Sequence, residues 1–264
     1  MEGLPRPEYQ PVQIPEQHGL KHMSELALLQ TILDAGQHWS RRERNMVVAA
    51  ESIGRTIHQD DIHRGQPYNY HLLRSTARMV KYFHITEAEP VAGLLLHDSV
   101  ENRPDELLCY SFFGTIKAPL EVEIHQDPLL KQQRAFEHIA TQFSPRVARM
   151  VEGMTNPPRP QDRMLSYQEK IDQYVEHVAL KIRIPDVFFG KLADWGDNGL
   201  GITYRDPSVT TARLAHLEYK YGQVTPVLES RFYESDIQAI LDPVAKANIR
   251  HMFTRARERL RVPG

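Results

Sequence analysis

The sequence predicts a single all-α domain whose C-terminal end carries additional helices. Apolar residues recur at three- and four-residue spacing in one segment after another, which is the pattern of amphipathic helices. No segment shows convincing alternation of apolar and polar residues, the mark of a half-buried strand. No linker or internal repeat divides the chain of 264 residues, which is long enough to bury a sizeable core.

The first half of the chain begins with a proline-rich arm over residues 1–22, which we expect to be loosely ordered. Ser40 is a candidate N-cap, and Thr86 is another. Pro90 falls within the first turns of the helix after Thr86, where proline is tolerated. The predicted helices of this half cover residues 24–39, 40–59, 71–84 and 88–102.

The second half opens with a weak pattern from Arg103 to about Pro128, where proline and glycine interrupt the periodicity. The helices predicted after it cover residues 129–143, 144–155, 164–181, 185–198, 209–232 and 235–261. We therefore predict a core over 23–205 that includes an insertion at about 107–141, followed by a C-terminal helical extension over 206–264.

Composition excludes several classes of protein. With 41% hydrophobic and 25% charged residues, the chain has the balance of a soluble globular protein. The net charge of -2 provides no basic field for duplex nucleic acid or an anionic membrane. Cys109 is the single cysteine, so no intramolecular disulfide can form, and a cytoplasmic location is expected. The N-terminal residues do not have the pattern of a signal peptide, and no apolar run is long enough to span a bilayer.

Four residues form a candidate metal site. His97 and Asp98 follow the apolar run Leu94–Leu96 without a break, and polar groups on a buried stripe are costly unless they are paired or bind an ion. Asp194 also follows an apolar run, and His71 opens its helix after a turn. Two imidazoles and two carboxylates suit Mn²⁺ or Fe²⁺ better than a structural zinc ion, which prefers thiolates.

Four motifs resemble those of the HD-domain hydrolases of the RelA/SpoT alarmone group. "GQPYNYH" resembles their "GePYxxHP", and "LLLHDSVEN" resembles "LLHDvvED". "RVARMVEGMT" is similar to "VaxLVdGvT", and "IRIPDVFFGKLADWGDN" is similar to "IRvxLIKLADRlHN". The motifs occur in the family's order and cover roughly 47–200. The chain looks like a small alarmone hydrolase without a synthetase domain.

The resemblance implies a helical HD fold with one Mn²⁺ held by His71, His97, Asp98 and Asp194. The metal would act on water and on the scissile phosphate, and its identity as Mn²⁺ rather than Fe²⁺ or another divalent ion stays open. The implied reaction removes the 3′-pyrophosphate from guanosine or adenosine tetra- and pentaphosphate.

The resemblance also assigns roles to polar residues near these ligands. Glu101 and Asn102 stand where the family has a Glu-Asp pair that positions or activates the attacking water. An amide can hold water but cannot take its proton, so the base work would fall to Glu101. Asn198 matches an asparagine that contacts the nucleotide, and Tyr68 is a further candidate contact.

The substrate pocket departs from the family pattern. The family places an arginine that stacks on guanine just before the "GxPY" motif, and here Arg64 or His63 could substitute from a shifted position. Arg74 and Arg78 follow His71 on one helical face and could neutralise phosphates. The alternative is that these two arginines are solvated or pair with nearby glutamates such as Glu87 and Glu89.

Several polar residues have simpler interpretations. His58, His63 and His84 lack ligand partners at recognisable spacing, so we interpret them as surface or capping histidines. Asp197 could replace Asp194 as a ligand, but Asp194 holds the motif position.

Two other functions stay open at this point. The chain could hydrolyse another nucleotide or nucleoside phosphate, because the stacking arginine is displaced. It could instead be a catalytically weak module that binds a nucleotide or neutralises a toxin, because Asn102 replaces an acid. Homo-oligomerisation is also open.

Overall fold

The computed structural model describes residues 17–113, 127–157, 165–203 and 210–263. Within these ranges the chain is helical apart from one short hairpin, which confirms the all-α prediction. Short 3₁₀ helices cover Gln17–His22 and Leu200–Thr203. The α-helices are α1 (Glu25–Ala35), α2 (Arg41–Ile57), α3 (Asn69–Tyr82), α4 (Ala88–Leu95), α5 (Ser99–Asn102), α6 (Pro104–Phe113), α7 (Pro128–Gln142), α8 (Pro145–Met154), α9 (Tyr167–Lys181), α10 (Pro185–Asn198), α11 (Thr211–Phe232), α12 (Ser235–Ile240) and α13 (Pro243–Arg259).

Most helices begin where a side chain can satisfy the free backbone N–H groups of the first turn. Ser40 is the N-cap of α2, as predicted, and forms a reciprocal capping box with Glu43. Ser166 and Glu169 form the same arrangement at the start of α9. The prediction for Thr86 was wrong, because Glu87 is the residue that precedes α4 and it makes no side-chain cap.

The predicted continuous helix from Ala88 to Asn102 is interrupted, which is a correction. Helix α4 ends at Leu95, and α5 begins only at Ser99, so His97 and Asp98 lie in a turn. The backbone tightens there, since Leu96 N–H donates to the Gly93 carbonyl three residues back. The Leu94 carbonyl also accepts a bond from the His97 ring, which competes with the regular helical pattern.

A two-stranded hairpin occupies the segment that we predicted as a plain turn. Strand β1 (Ile62–His63) pairs antiparallel with β2 (Gln66–Pro67). The two connecting residues, Arg64 and Gly65, have φ values of 52° and 75°, as a two-residue hairpin turn of the I′ type requires. Strands of two residues are too short to produce a visible alternation, which explains why the pattern gave no sign of them.

The segment after Arg103 is more regular than predicted. Pro104 begins helix α6 instead of ending a helix, because proline is well suited to the first helical position. Residues 114–126, which make up half of the predicted irregular stretch, lie outside the described part of the chain. Near the C-terminus, the predicted helix over 235–261 is divided into α12 and α13, with Asp242 capping the latter.

Helix α3 lies at the centre of the packing. It contacts α1, α4, α10 and α13, while α2 packs against α4, and α8 packs against both α4 and α10. The last residues of the predicted arm pack as well, since Leu20 is buried and the first 3₁₀ helix contacts α3. The remainder of the arm, residues 1–16, lies outside the described part.

The C-terminal helices share this core. Phe253 of α13 has its ring 5.7 Å from Trp195 of α10 and 5.8 Å from Phe232 of α11. The leucine run of α4 is buried as predicted, with Leu94 and Leu95 at 0% and 1% exposure. The residues that follow this run are therefore attached to one of the most buried parts of the molecule. None of the described helices combines the length and the apolar composition of a membrane span.

Candidate metal centre

The four predicted metal ligands converge between three parts of the fold. His71 comes from α3, Asp194 from α10, and His97 and Asp98 from the turn between α4 and α5. The Nε2 atom of His71 lies 3.2 Å from Asp194 Oδ1 and 3.4 Å from Asp98 Oδ2. The Nε2 atom of His97 lies 3.1 Å from Asp98 Oδ2 and 3.8 Å from Asp194 Oδ1. His71, His97 and Asp98 have ligand atoms close enough together to share one ion, and Asp194 Oδ1 lies within 4 Å of both histidine nitrogens.

The His97 side chain suits a metal ligand. Its Nδ1 atom lies 2.7 Å from the Leu94 carbonyl oxygen, which can only accept, so Nδ1 carries the hydrogen. Its Nε2 atom is buried and has no hydrogen-bond partner within the described ranges, even though Asp98 Oδ2 is close. A buried nitrogen without a partner is costly unless it has another use. In the neutral ring the lone pair of Nε2 would face two carboxylates, and a divalent cation between these groups would use all of them as ligands.

The His71 side chain is oriented by a carboxylate that the sequence interpretation had not used. The Nδ1 atom of His71 lies 2.9 Å from Asp197 Oδ2. A carboxylate accepts this bond, so in the neutral ring the hydrogen sits on Nδ1 and the Nε2 lone pair points to Asp98 and Asp194. Metal-binding histidines commonly have a carboxylate partner on the other ring nitrogen. Asp197 therefore stands behind a ligand instead of replacing Asp194.

Arg74 and Arg78 lie beneath the cluster and do not reach into solvent. The Nε and Nη2 atoms of Arg74 donate to the two oxygens of Asp197 at 2.8 and 3.0 Å. Arg78 is also buried, and its Nη1 atom is 3.6 Å from Asp197 Oδ1. The alternative that these two arginines are solvated was therefore wrong. Glu89, one of the glutamates considered as a partner, lies beside Arg146 instead. The predicted phosphate contact of Arg74 would require its guanidinium to leave Asp197.

Tyr68 connects two of the predicted site residues. Its hydroxyl donates to Asp98 Oδ2 at 2.6 Å and accepts from Asn102 Nδ2 at 3.2 Å. The His58 ring stacks on the Tyr68 ring with the centroids 4.5 Å apart. The amide N–H of Asn102 is thus directed at Tyr68. The single hydroxyl hydrogen of Tyr68 therefore goes to the Asp98 carboxylate.

Glu101, the predicted base, is held by the segment after α8. Both of its carboxylate oxygens accept from Asn156 Nδ2, at 2.9 and 3.0 Å. The backbone N–H of Asn156 also donates to Glu101 Oε2 at 2.9 Å. The sequence interpretation had given Asn156 no role. It follows the "GMT" motif directly, and that position was the available signal.

Asn198 and Arg64 meet at the C-terminal end of α10. Asn198 Nδ2 donates to Asp194 Oδ1 at 2.6 Å, so Asn198 supports a predicted ligand. The guanidinium of Arg64 donates to the backbone carbonyls of Asp197 and Asn198, at 3.2 and 2.5 Å. A cation is favourable at a helix C-terminus, where the carbonyls carry partial negative charge. The hairpin turn therefore holds Arg64 against the protein.

The charges of the cluster shift the pKa values of its members. Burial lowers the pKa of the His97 imidazole, but the negative charges of Asp98 and Asp194 outweigh burial and raise it to about 9. Burial also opposes protonation of His71, yet hydrogen bonds to Asp194, Asp197 and Asp98 raise its pKa well above the usual value. The two imidazoles conversely hold the pKa of Asp98 well below its usual range, against the effect of burial. Both imidazoles, those of His71 and His97, are therefore protonated at neutral pH in the metal-free protein.

Two of the histidines that we interpreted as surface groups are part of the site, which is a correction. His63 stacks on His71 with the ring centroids 4.7 Å apart. Burial lowers the pKa of His63 to about 3, so this ring is neutral. His58 is buried and pairs with Asp61 through Nδ1 at 2.8 Å. His84 remains a surface residue and pairs with Asp242.

Two tyrosines lie close enough to the site to feel its charges. Tyr174 of α9 and Tyr221 of α11 have raised pKa values, first because they are buried and then because the negative charges of Asp194, Asp98 and Glu101 lie nearby. The sequence interpretation had assigned these tyrosines only to helices. Nothing in their spacing distinguishes them from other partly buried aromatic residues.

Comparison with family models gives no match for this chain, and comparison with curated proteins gives none either. The fold and the site define an all-helical protein with buried groups of histidine and aspartate that could hold a metal ion.

Proposed function

We propose that this protein is an HD-type phosphohydrolase that uses a divalent cation, Mn²⁺, to remove the 3′-pyrophosphate from a (p)ppGpp-type alarmone. The observation that carries the proposal is the convergence of His71, His97, Asp98 and Asp194, four residues chosen by motif from three separate segments. Residues that only resemble a motif by chance would not be expected to place both histidine Nε2 atoms within 4 Å of both carboxylates.

The chain's own groups would perform the positioning. Asp98 and Asp194 supply anionic oxygens, and each is held by a donor, Tyr68 for the first and Asn198 for the second. A divalent cation held by this set supplies Lewis acidity toward a phosphoryl oxygen and toward water. The proposal assigns Glu101 to orient the attacking water and to accept its proton.

The bonds from Asn156 fix Glu101 but leave it chemically competent. A carboxylate has about four acceptor positions. Asn156 donates to Glu101 from its side-chain amide nitrogen and from its backbone N–H, which leaves acceptor capacity for a water molecule. Asn102 cannot act as a base, and its donor group is already directed at Tyr68. The proposal therefore makes Glu101 the sole proton acceptor and gives Asn102 a positioning role.

One observation favours a second candidate, which is a phosphohydrolase acting on another nucleotide or nucleoside phosphate. Arg64, the best substitute for the base-stacking arginine, is bound to two carbonyl groups of α10. These bonds fix the guanidinium at the C-terminal end of α10, so it could stack only on a base that reaches it there.

The test is a release assay with added Mn²⁺ on a panel of alarmones, nucleoside triphosphates and nucleoside monophosphates. We expect pyrophosphate release from an alarmone. We also expect Asp98→Ala to lower the rate by about 100-fold or more, because metal chemistry contributes several kcal/mol. Asp186→Ala is the matched control, since Asp186 lies at the start of α10 and its side chain pairs with Arg146, away from the four candidate ligands. That control should keep the wild-type rate.

The other outcomes distinguish the alternatives. Activity confined to ordinary nucleotides, and lost in Asp98→Ala, would retain the metal chemistry and replace the alarmone. Binding of Mn²⁺ without turnover of any substrate would favour the nucleotide-binding or toxin-neutralising module. Equal activity in the wild-type protein and Asp98→Ala would overturn the proposed site.

A further inference from the structure

We propose that Asp197 and Arg74 form a positioning pair that sets the ring orientation and the tautomer of His71 for metal binding. The inference deepens the proposed function and rests on the metal site assigned there. It gives a task to two buried charged residues that the proposed chemistry does not use. It also replaces the idea that Arg74 contacts a substrate phosphate.

The spacing along the two helices brings the pair together. Arg74 follows His71 by three residues on α3, and Asp197 follows Asp194 by three residues on α10. Residues three apart share one face of a helix, so each helix contributes a ligand and, one turn later, a supporting group. The two supporting groups meet behind the two ligands.

Each bond in the arrangement has one direction. The His71 Nδ1–H donates to Asp197 Oδ2 at 2.9 Å. The guanidinium of Arg74 donates two bonds to the same carboxylate, and its Nη1 atom donates to Gln66 Oε1 at 2.8 Å. Asp197 can only accept, so the neutral His71 ring that a metal requires has its hydrogen on Nδ1 and its lone pair on Nε2. The fork of Arg74 prevents the carboxylate from rotating.

Burial makes the loss of any of these bonds costly. Asp197, His71 and Arg74 have 5%, 1% and 6% exposure, so water cannot substitute for a lost partner. A second arrangement is conceivable, because His63, His71 and Asp197 also have ligand-like spacing. Both oxygens of Asp197 already accept from Arg74, and a cation placed there would face a guanidinium. The positioning role fits these charges, whereas a second ion does not.

The first test compares Mn²⁺ binding by the wild-type protein and Asp197→Asn, with free Mn²⁺ followed by its EPR signal. We expect the dissociation constant to be 10- to 100-fold larger, which is the usual effect of removing the outer partner of a metal-binding histidine. Asp186→Asn is the control, since it makes the same chemical change on the same helix and breaks a two-bond arginine pair remote from His71. Its affinity should stay within twofold of wild type.

A double-mutant cycle separates positioning from a general structural effect. If Asp197 acts through His71, then Asp197→Asn should weaken Mn²⁺ binding in the wild-type background but have little further effect in a His71→Ala background. Equal losses in both backgrounds would overturn the inference. If Asp197→Asn does not fold, Arg74→Lys takes its place, because lysine keeps the charge but loses the fork. An unchanged affinity in Arg74→Lys would then overturn it.

The two proposals fail in distinguishable ways. A wild-type protein that binds no Mn²⁺ would overturn the metal site and this inference with it. Wild-type binding together with an unaffected Asp197→Asn protein would overturn the positioning pair alone.

Discussion

At the scale of single residues, His97 shows how one side chain can both interrupt a helix and direct a candidate ligand atom at two carboxylates. Its Nδ1–H bonds to the Leu94 carbonyl, and this bond leaves Nε2 directed at Asp98 and Asp194. The same ring carries a proton at neutral pH in the metal-free protein, because its pKa is raised to about 9. A metal ion must displace that proton, since only the neutral imidazole offers its lone pair.

Mn²⁺ affinity should therefore depend on pH with a definite sign. Below pH 9 the raised pKa keeps His97 protonated, so affinity falls as the pH falls, and it levels off above pH 9. Titration calorimetry at pH 7 in two buffers of different ionisation enthalpy should show release of at least one proton per ion. Binding without proton release would contradict the assignment of this histidine as a ligand.

Residue-scale interpretation of the sequence selected four candidate ligands that lie together, but it missed the groups that support them. His71, His97, Asp98 and Asp194 were found because each stands in a motif beside apolar residues. Asp197 was visible only as a possible substitute ligand. Its actual partner, the His71 Nδ1 atom, depends on how α3 and α10 pack, and one sequence does not contain that information.

At the scale of elements, α2 packs closely against the end of α4, just before the turn that carries His97 and Asp98. Gly54 of α2 lies against the Leu95 backbone, and a Cβ atom at this position would be 2.7 Å from the Leu95 carbonyl oxygen. That carbonyl belongs to the last residue of α4, two residues before His97. The absence of a side chain at Gly54 therefore permits the close contact between these helices.

Gly54→Ala should destabilise the protein by about 1–2 kcal/mol. Overpacking costs about 1–3 kcal/mol, and the better helix propensity of alanine offsets up to about 1 kcal/mol of this. The midpoint of urea unfolding should fall without a change in slope. Gly19→Ala is the control, since a Cβ atom there would meet nothing within 4 Å. A wild-type midpoint for Gly54→Ala would show that α4 can move away without cost.

Element boundaries were predictable where local chemistry determines them. Ser40 caps α2 as its sequence indicates, because the Ser40–Glu43 box needs no tertiary partner. The break at Leu96 and the hairpin at Arg64 were missed for different reasons. The break depends on a side chain that competes for a backbone carbonyl, and the hairpin is too short to have a period.

At the scale of the whole molecule, the candidate metal centre joins segments that are distant in sequence. His71 and Asp194 belong to helices that pack against each other, and the Asp98 turn reaches the same point from α4. An ion bound here would connect α3, α10 and the turn in the folded protein only. Binding to the native state alone raises the free energy of unfolding by mass action.

Mn²⁺ should therefore raise the thermal stability of the protein. At 100 times the dissociation constant, the expected gain is about 2.7 kcal/mol. For a chain of 264 residues this corresponds to roughly 5 °C in Tm. Calorimetric scans of the wild-type protein and Asp98→Ala, each with and without Mn²⁺, measure the effect. An equal shift in both proteins would indicate binding elsewhere.

The arginines beneath the candidate metal centre have a consequence for charge balance. With both imidazoles neutral, four carboxylates are opposed by three guanidinium groups, and these seven residues are Asp98, Asp194, Asp197, Glu101, Arg64, Arg74 and Arg78. The anionic excess is a single charge, so a divalent ion would leave the interior with one surplus positive charge. Such a centre would attract a phosphate dianion electrostatically, yet it would hold the departing product less tightly than an uncompensated cation would.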